Sequence, residues 1–268
     1  MNKQRTQSTL SKLSRRNFFR IASSSAVALA AAPAGLAAQE AHAPAAVAPP
    51  AAHASNAPPL FFRADEMRFI RAATERLIPE DDNGPGAIAA AVPEYIDRQL
   101  AGAWGAGERL YRGGPWQAGE PSQGYQLPFT PAELFRNALR AIDDDLRQRY
   151  RNSFDQLSGP QQDACLAALQ TGRQDLQGVP AHVFFESLLA LTIEGFFSDP
   201  VYGGNRDMGA WKMIGFPGAY ASFYELVDQH GMLYTRAPIS MGDDGAGVIH
   251  LLPVHGPHTA PSHGKGGA

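Results

Sequence analysis

Residues 181–197, Ala181-His-Val-Phe-Phe-Glu-Ser-Leu-Leu-Ala-Leu-Thr-Ile-Glu-Gly-Phe-Phe197, decide the fold. They are apolar on nearly every side of a helical wheel, and a helix of that kind is buried. We therefore expect a central helix around which the other elements pack. His182, Glu186 and Glu194 are spaced by multiples of four and so share one face. Such a face is typical of contact with solvent or a partner chain, because a metal or proton-relay site would need a third partner from elsewhere.

Helical periodicity and capping signals also mark the segments on both sides of this stretch. Thr130, Pro131 and Glu133 form the sequence pattern of a capping box with proline in the first turn. We find no alternating strand pattern and no internal repeat, so we predict an all-α protein, a compact irregular helical bundle with long ordered loops. Five helices are predicted besides the central one. The first covers residues 65–78, the second begins near Pro93, the third follows Thr130, the fourth starts at Ser158 and Pro160, and the last covers residues 218–229.

The N-terminus has the layout of a twin-arginine export signal. Ser14-Arg15-Arg16-Asn17-Phe18-Phe19-Arg20 precedes a short, alanine-rich apolar run. That run is too short to span a bilayer as a stable helix, which needs about 20 residues. We expect Arg15, Arg16 and Phe18 to act in export and the protein to lie in the periplasm. Several cleavage positions fit, and an uncleaved signal serving as an anchor stays open.

Composition divides the chain into four parts. We expect the export signal over residues 1–38, an Ala/Pro-rich linker over 39–59, a helical domain over 60–240 and a disordered Gly/His/Pro-rich tail over 241–268. From residue 60 onward the chain has 17 basic and 25 acidic residues, a net formal charge of −8. This charge argues against a nucleic-acid partner. Cys165 is the only cysteine, which excludes an intrachain disulfide, and its helical setting is typical of a buried, inert thiol.

Motifs for redox and hydrolytic chemistry are missing from the sequence. It contains no dinucleotide-binding Gly-x-Gly-x-x-Gly after a strand, no phosphate-binding loop, no Gly-x-Ser-x-Gly and no Glu-x-x-His pair for a di-iron site. The acidic loop from Glu80 to Gly86 offers oxygen ligands for calcium but also has ordinary turn chemistry. We therefore predict no catalytic, cofactor-binding or metal-binding residue in this chain. Weak metal chelation by the tail is a further alternative, through His250, His255, His258 and His263.

The most unusual segment is the loop over residues 199–218, in which aromatic side chains alternate with glycines and cations. Loops of this composition commonly form binding surfaces, although the aromatics could equally pack back on the central helix. A second such region contains Trp104, Tyr111, Trp116 and Tyr125. From the first loop we predict a partner interface formed by Tyr202, Asn205, Arg206, Trp211 and Phe216.

Several segments together resemble the gluconate 2-dehydrogenase subunit 3 family, the small (gamma) subunits of membrane-associated flavoprotein dehydrogenases. The resemblance runs from about Phe62 to Pro238. The most specific segments are Ile193-Glu-Gly-Phe-Phe-Ser-Asp-Pro200 and Tyr202-Gly-Gly-Asn-Arg-Asp207, the latter continuing to Gly215-Phe-Pro-Gly218. Weaker support comes from Leu77-Ile-Pro79 with the acidic loop and from Val92-Pro-Glu-Tyr-Ile-Asp97.

The resemblance implies a complex with two further subunits, through which the protein is held at the inner membrane. One is a large, FAD-bearing subunit of the glucose–methanol–choline type that oxidises a sugar or sugar acid, and the other is a multihaem cytochrome c subunit carrying haem c. The small subunit is expected to assist folding of the large subunit and its export through the twin-arginine machinery. We therefore expect an accessory subunit without a catalytic centre. The alternatives are a stand-alone exported enzyme with a metal at Glu80–Asp82 or at His182 and Glu186, and a membrane anchor of a redox complex.

Overall fold

A computed structural model describes residues 58–256, apart from 109, 112, 118, 120–125, 173, 221–223, 233–234 and 246–247. The predicted export signal, with Arg15, Arg16 and Phe18, lies outside the described residues, as does most of the linker. In the described part the protein is largely helical, as predicted. Its helices are α1 (Ala64–Leu77), α2 (Val92–Ala101), α3 (Pro131–Tyr150), α4 (Gly159–Thr171), α5 (Ala181–Phe197) and α6 (Gly209–Ile214). Within this part, no helix has the length and apolarity needed to cross a bilayer.

Helix α5 is central, as its sequence predicts, and packs against α1, α2, α3, α4 and α6. Phe184 of α5 lies 5.3 Å from Phe135 of α3 and 6.3 Å from Phe69 of α1, measured between ring centroids. Phe69 in turn lies 4.6 Å from Phe154, in a 3₁₀ turn after α3. All four rings are buried, and tilted or edge-on aromatic pairs of this kind add to the free energy gained by burying their apolar area.

One stripe of α5 faces outward, as the polar face of His182, Glu186 and Glu194 predicts. His182, Glu186, Ala190 and Glu194, each four residues apart, are exposed along it. His182 and Glu186 therefore lie where hydration of their polar groups is retained. Leu188 and Phe196, on the other side of the helix, are buried in the core.

Helix α3 begins as the sequence predicts. The hydroxyl of Thr130 accepts a hydrogen bond from the Glu133 backbone N–H at 3.2 Å, and the Glu133 carboxylate accepts one from the Thr130 N–H at 2.8 Å. This reciprocal pair satisfies backbone donors that a helix start leaves without intrahelical partners.

A small hairpin precedes α5, in a segment without an alternating strand pattern. Strands β1 (Asp175–Leu176) and β2 (Val179–Pro180) pair antiparallel, with Leu176 opposite Val179. Gln177 and Gly178 between them have φ angles of 56° and 90°, values typical of a tight hairpin turn. Two-residue strands are too short to produce an alternating pattern, so periodicity could not predict them.

The helix predicted over residues 218–229 is wrong for the residues described there. Gly218 has φ +79° and pairs in parallel with Ile239. The Ala219 N–H donates to the Ile239 carbonyl at 2.8 Å, and one 3₁₀ turn at Tyr224–Leu226 follows. The positive φ at Gly218 and the pairing with Ile239 direct the backbone away from helical geometry at the predicted start of this helix.

The start of the helical body is held by Asp97 of α2. Its carboxylate accepts hydrogen bonds from three successive backbone N–H groups, those of Leu60 (2.6 Å), Phe61 (3.0 Å) and Phe62 (2.9 Å). Arg136 of α3 donates to the Phe61 carbonyl at 2.9 Å and lies over the Phe61 ring at 4.2 Å. A buried carboxylate needs such donors to offset its lost hydration, so Asp97 both requires and fixes this segment.

Candidate partner-binding surface

The loop that follows α5 is fitted closely against the end of that helix. The Asn205 backbone N–H donates to the Gly195 carbonyl at 2.9 Å, so the loop folds back over the last turn of α5. A Cβ on Gly195 would lie 2.7 Å from the Tyr95 ring, and one on Gly204 would lie 2.2 Å from the Gly195 carbonyl oxygen. Both distances are too short for any side chain, which explains two glycines of the motif.

Asn205 is the internal support of this loop. It is 0% exposed, its side-chain amide donates to the Ser198 carbonyl at 2.9 Å, and its side-chain oxygen accepts from the Ala210 N–H at 3.0 Å. Its φ angle is 43°, and Asp207 and Met208 also have positive φ. Non-glycine residues in this conformation are strained, and persist where the surrounding contacts require them. The loop is therefore held in one shape.

Trp211 of α6 is also a supporting residue, because it is only 5% exposed. Its indole N–H donates to the Phe197 carbonyl at 2.8 Å, at the end of α5. Phe216 packs edge-on against its ring at 5.0 Å between centroids. The indole thus joins the end of the central helix to the exposed end of the loop.

Asp199 ties the loop to the segment after residue 239, a role that sequence reasoning missed. Its carboxylate accepts hydrogen bonds from the Val201 N–H (3.0 Å), the Met241 N–H (2.9 Å) and the Ser240 hydroxyl. Leu252 adds an N–H bond to the Val201 carbonyl at 2.9 Å. Aspartate before proline at a helix end is a turn signal, and it could have indicated the bond within the loop but not the distant partners.

These bonds place part of the expected disordered tail on the helical body. Of the described tail residues, Asp243 and Ile249 form a β-bridge and the His250 N–H donates to the Gly242 carbonyl at 2.9 Å. The side chain of Arg98 of α2 bonds to the Leu252 carbonyl. Contacts with the helical body therefore continue past Met241, the predicted first residue of the tail.

The acidic loop packs beside α6. A Cβ on Gly84 would lie 2.9 Å from the Met213 sulfur, and one on Gly209 would lie 3.1 Å from the Pro85 ring. The loop is closed by Asp81, whose backbone pairs with Gly84 and whose carboxylate accepts the Asn83 N–H at 2.9 Å. The Asp81 carboxylate thus has a turn-forming role of its own.

The alternative of a metal site has no cluster of ligands in the part of the chain that the structure describes. There, no group of three or more His, Cys, Asp or Glu side chains is arranged to hold a metal ion. His182 and Glu186 lie on the exposed stripe of α5.

The Glu194 carboxylate lies beside Tyr95 at the base of the loop, with the phenol donating across 3.5 Å. Desolvation by the surrounding protein raises the pKa of Glu194, and the hydrogen bond from Tyr95 lowers it by less. Burial, then the adjacent Glu194 charge, raises the pKa of Tyr95. The tyrosine therefore stays protonated and serves as a donor.

The five predicted interface residues thus separate into two groups. Tyr202 and Phe216 are exposed, at 39% and 45%, and Arg206 is half-buried. Asn205 and Trp211 are buried, so they shape the loop from inside rather than present side chains on its surface. Ile214 of α6, at 57% exposure, is a further surface residue that no sequence pattern indicated. Its position after Trp211 and Lys212 in a short helix gave no signal of which way it points.

The second aromatic region is also displayed outward in its described part, since Trp104, Tyr111 and Trp116 are exposed. Tyr125 lies outside the described residues.

Together, these features define a small helical protein with a rigid, motif-bearing loop on the end of its central helix. The family model for gluconate 2-dehydrogenase subunit 3 matches residues 64–218, from the start of α1 to the glycine that ends the loop. The match covers more than half of the 268-residue chain, and the protein belongs to this family. The family is that of a subunit of a gluconate 2-dehydrogenase-like complex. No curated protein and no solved structure matches the chain.

Proposed function

We propose that this chain is the small, non-catalytic subunit of a periplasmic flavoprotein dehydrogenase complex of the gluconate 2-dehydrogenase type. In this proposal it binds a FAD-bearing large subunit of the glucose–methanol–choline type, stabilises it and carries it through the twin-arginine pathway. A multihaem cytochrome c subunit completes the complex and holds it at the inner membrane. The substrate is chosen by the large subunit, in which the flavin reacts.

Family membership is the observation that carries this proposal. Two features support it. The twin-arginine sequence is suited to cargo that folds before export, as a flavin-loaded subunit must. The loop on α5 holds Tyr202 and Phe216 outward on a fixed backbone, and aromatic side chains on a preorganised surface are typical of protein interfaces.

Coexpression tests the accessory role. The large subunit is expressed with and without this chain, and FAD-loaded dehydrogenase activity is measured in the periplasmic and cytoplasmic fractions. We expect periplasmic activity only with the chain present, and more soluble large subunit in the cell as a whole. Equal periplasmic activity in both strains would contradict the proposal.

Substitution in the signal separates export from stabilisation. In the double variant Arg15→Lys/Arg16→Lys, active complex should accumulate in the cytoplasm, because folding is intact and export is blocked. The matched control is Arg5→Lys/Arg20→Lys, which makes the same chemical change outside the arginine pair and should export normally. Undiminished export of the first variant would show that the pair has no role.

A further inference from the structure

The segment over residues 239–252, here called the strap, is bonded to both ends of the loop over residues 199–218. At the far end of the loop, the Ile239 carbonyl accepts the Ala219 N–H at 2.8 Å, and the Ile239 N–H donates to the Pro217 carbonyl at 3.2 Å. The pairing there is parallel. These are backbone bonds of the kind that join neighbouring strands, and an extended peptide added to the edge of a protein forms the same kind.

The start of the loop is bonded to the strap through a side chain as well as the backbone. The Asp199 carboxylate accepts hydrogen bonds from the Ser240 hydroxyl and from the Met241 N–H, the latter at 2.9 Å. The Leu252 N–H donates to the Val201 carbonyl at 2.9 Å. The strap is therefore attached where the chain leaves α5 as well as where the loop ends.

Arg98 of α2 contacts both the strap and the loop. Its guanidinium donates to the Leu252 carbonyl, and a Cβ on Gly203 would lie 2.7 Å from the Cδ of the same arginine. The surface under the strap thus offers a guanidinium, a carboxylate and backbone groups. Each of these is bonded to a complementary group of one extended segment, which is the way in which proteins bind peptides through their main chain.

The strap is held mainly by hydrogen bonds. Among its described residues, none belongs to the apolar core, and only Ser240 is buried. Met241, Val248 and Leu251 are 62%, 54% and 52% exposed. A segment that buries little apolar area opens locally, at a free-energy cost below that of global unfolding. The strap also lies beyond residue 218, at which the match to the family model ends.

We propose that the surface formed by Arg98, Asp199 and Val201 is a binding site for an extended peptide, and that the strap is its intramolecular occupant. The strap leaves the site by local opening, while the helical body stays folded. A separate peptide with the sequence of the strap competes for the site, because it supplies N–H and hydroxyl donors to the carboxylate and a carbonyl to the guanidinium. The proposal does not depend on the accessory role.

Native-state hydrogen exchange of the full-length chain, followed by NMR at urea concentrations below the unfolding transition, measures the opening. The amides of Met241 and Leu252 should exchange about 100-fold or more faster than the buried amides of α5. Their rates should be nearly independent of urea, because local opening exposes little surface. If they instead exchange at the rate of the α5 amides, with the same urea dependence, the strap opens only on global unfolding and the proposal is overturned.

A substitution within the strap tests whether the site accepts a separate peptide. A Cβ on Gly242 would lie 2.7 Å from the His250 carbonyl oxygen and 2.9 Å from Cγ2 of Val201, so Gly242→Ala displaces the strap. A labelled peptide with the wild-type sequence of residues 237–254 is titrated against the full-length chains. Its Kd should be about 10-fold or more lower for Gly242→Ala than for wild type, because the site is free for a larger fraction of the time. The matched control is Gly256→Ala, whose added methyl group has open space, and it should bind as wild type does.

Changes in the peptide identify the contacts without affecting the fold of the protein. Methylation of the Met241 nitrogen removes the donor to Asp199 and should weaken binding to the Gly242→Ala chain by about 10-fold. A scrambled peptide of the same composition should not bind. If the Gly242→Ala chain binds no peptide although its strap amides exchange faster, the strap is a structural closure and no peptide site exists. Equal binding of the scrambled or the methylated peptide would also overturn the assignment.

Discussion

Substitution of Asn205 is the sharpest test of how the loop over residues 199–218, here called the motif loop, is held in its conformation. Replacing it by alanine removes the amide donor to the Ser198 carbonyl and the acceptor of the Ala210 N–H, both within 3.0 Å in wild type. Leaving that buried N–H without a partner costs about 1–3 kcal/mol, and losing the second bond costs about 1 kcal/mol. Alanine also tolerates the left-handed backbone less well than asparagine, which adds about 1 kcal/mol.

The combined expectation for Asn205→Ala is a loss of about 4 kcal/mol in the free energy of unfolding. For a domain of this size, that loss corresponds to a Tm lower by roughly 10 °C. Differential scanning calorimetry and urea denaturation measure it. The matched control is Asn83→Ala, at an exposed asparagine, which should change stability by less than about 0.5 kcal/mol.

A second substitution at Asn205 tests the direction of the hydrogen bond. Asn205→Asp keeps the acceptor for Ala210 but places a carboxylate oxygen against the Ser198 carbonyl. Burial and that oxygen raise the aspartate pKa in the folded state, so the folded state binds a proton more tightly than the unfolded state. The stability deficit relative to wild type should therefore shrink as pH falls from 7 towards about 4. A loss below about 1 kcal/mol for alanine, or a pH-independent deficit for aspartate, would refute the reasoning.

Two further predictions concern Asp97 and Cys165. Asp97→Asn removes the charge and one acceptor from the carboxylate that holds residues 60–62, so the free energy of unfolding should fall by about 2 kcal/mol. The backbone amides of residues 60–62 should also exchange hydrogen faster, as measured by mass spectrometry. Unchanged protection of these amides would contradict this role of Asp97. Burial raises the pKa of the Cys165 thiol to about 11. Because the thiolate is the reactive form, alkylation of Cys165 by iodoacetamide at pH 8 should be about 100-fold slower than alkylation of an unperturbed cysteine. The rate should increase with pH up to about pH 11. A rate that levels off near pH 9 would show that the pKa of the thiol is not raised.

Local sequence signals were sufficient for most of the helices. The apolar stretch over residues 181–197 coincides with α5, and the Thr130 capping box opens α3, because periodicity and capping depend on residues within a turn or two of each other. The prediction of a helix over residues 218–229 was wrong because the structure there depends on a distant segment. Gly218 pairs with Ile239, a partner that no local pattern indicates.

For the motif loop too, some features could be predicted from the sequence and others could not. Its glycines and aromatics identified residues 199–218 as a special segment, and the family model includes that segment. Which side chains point inward could not be read from their order. Asn205 and Trp211 are buried, and carbonyl groups at the end of α5 accept hydrogen bonds from their side-chain N–H groups. Tyr202, Ile214 and Phe216 are not held inward in this way and remain exposed.

The sequence by itself determined the helical class, the starts of α1 to α5 and the family, since these follow from local periodicity, capping and motif residues. Tertiary structure alone decided that Asp97 holds the start of the body, that Asp199 binds the segment after residue 239, and that the acidic loop lies beside α6. The physical reason is that a carboxylate or a glycine can satisfy many partners, and the choice among them is made when the packed core brings distant backbone segments within hydrogen-bonding distance.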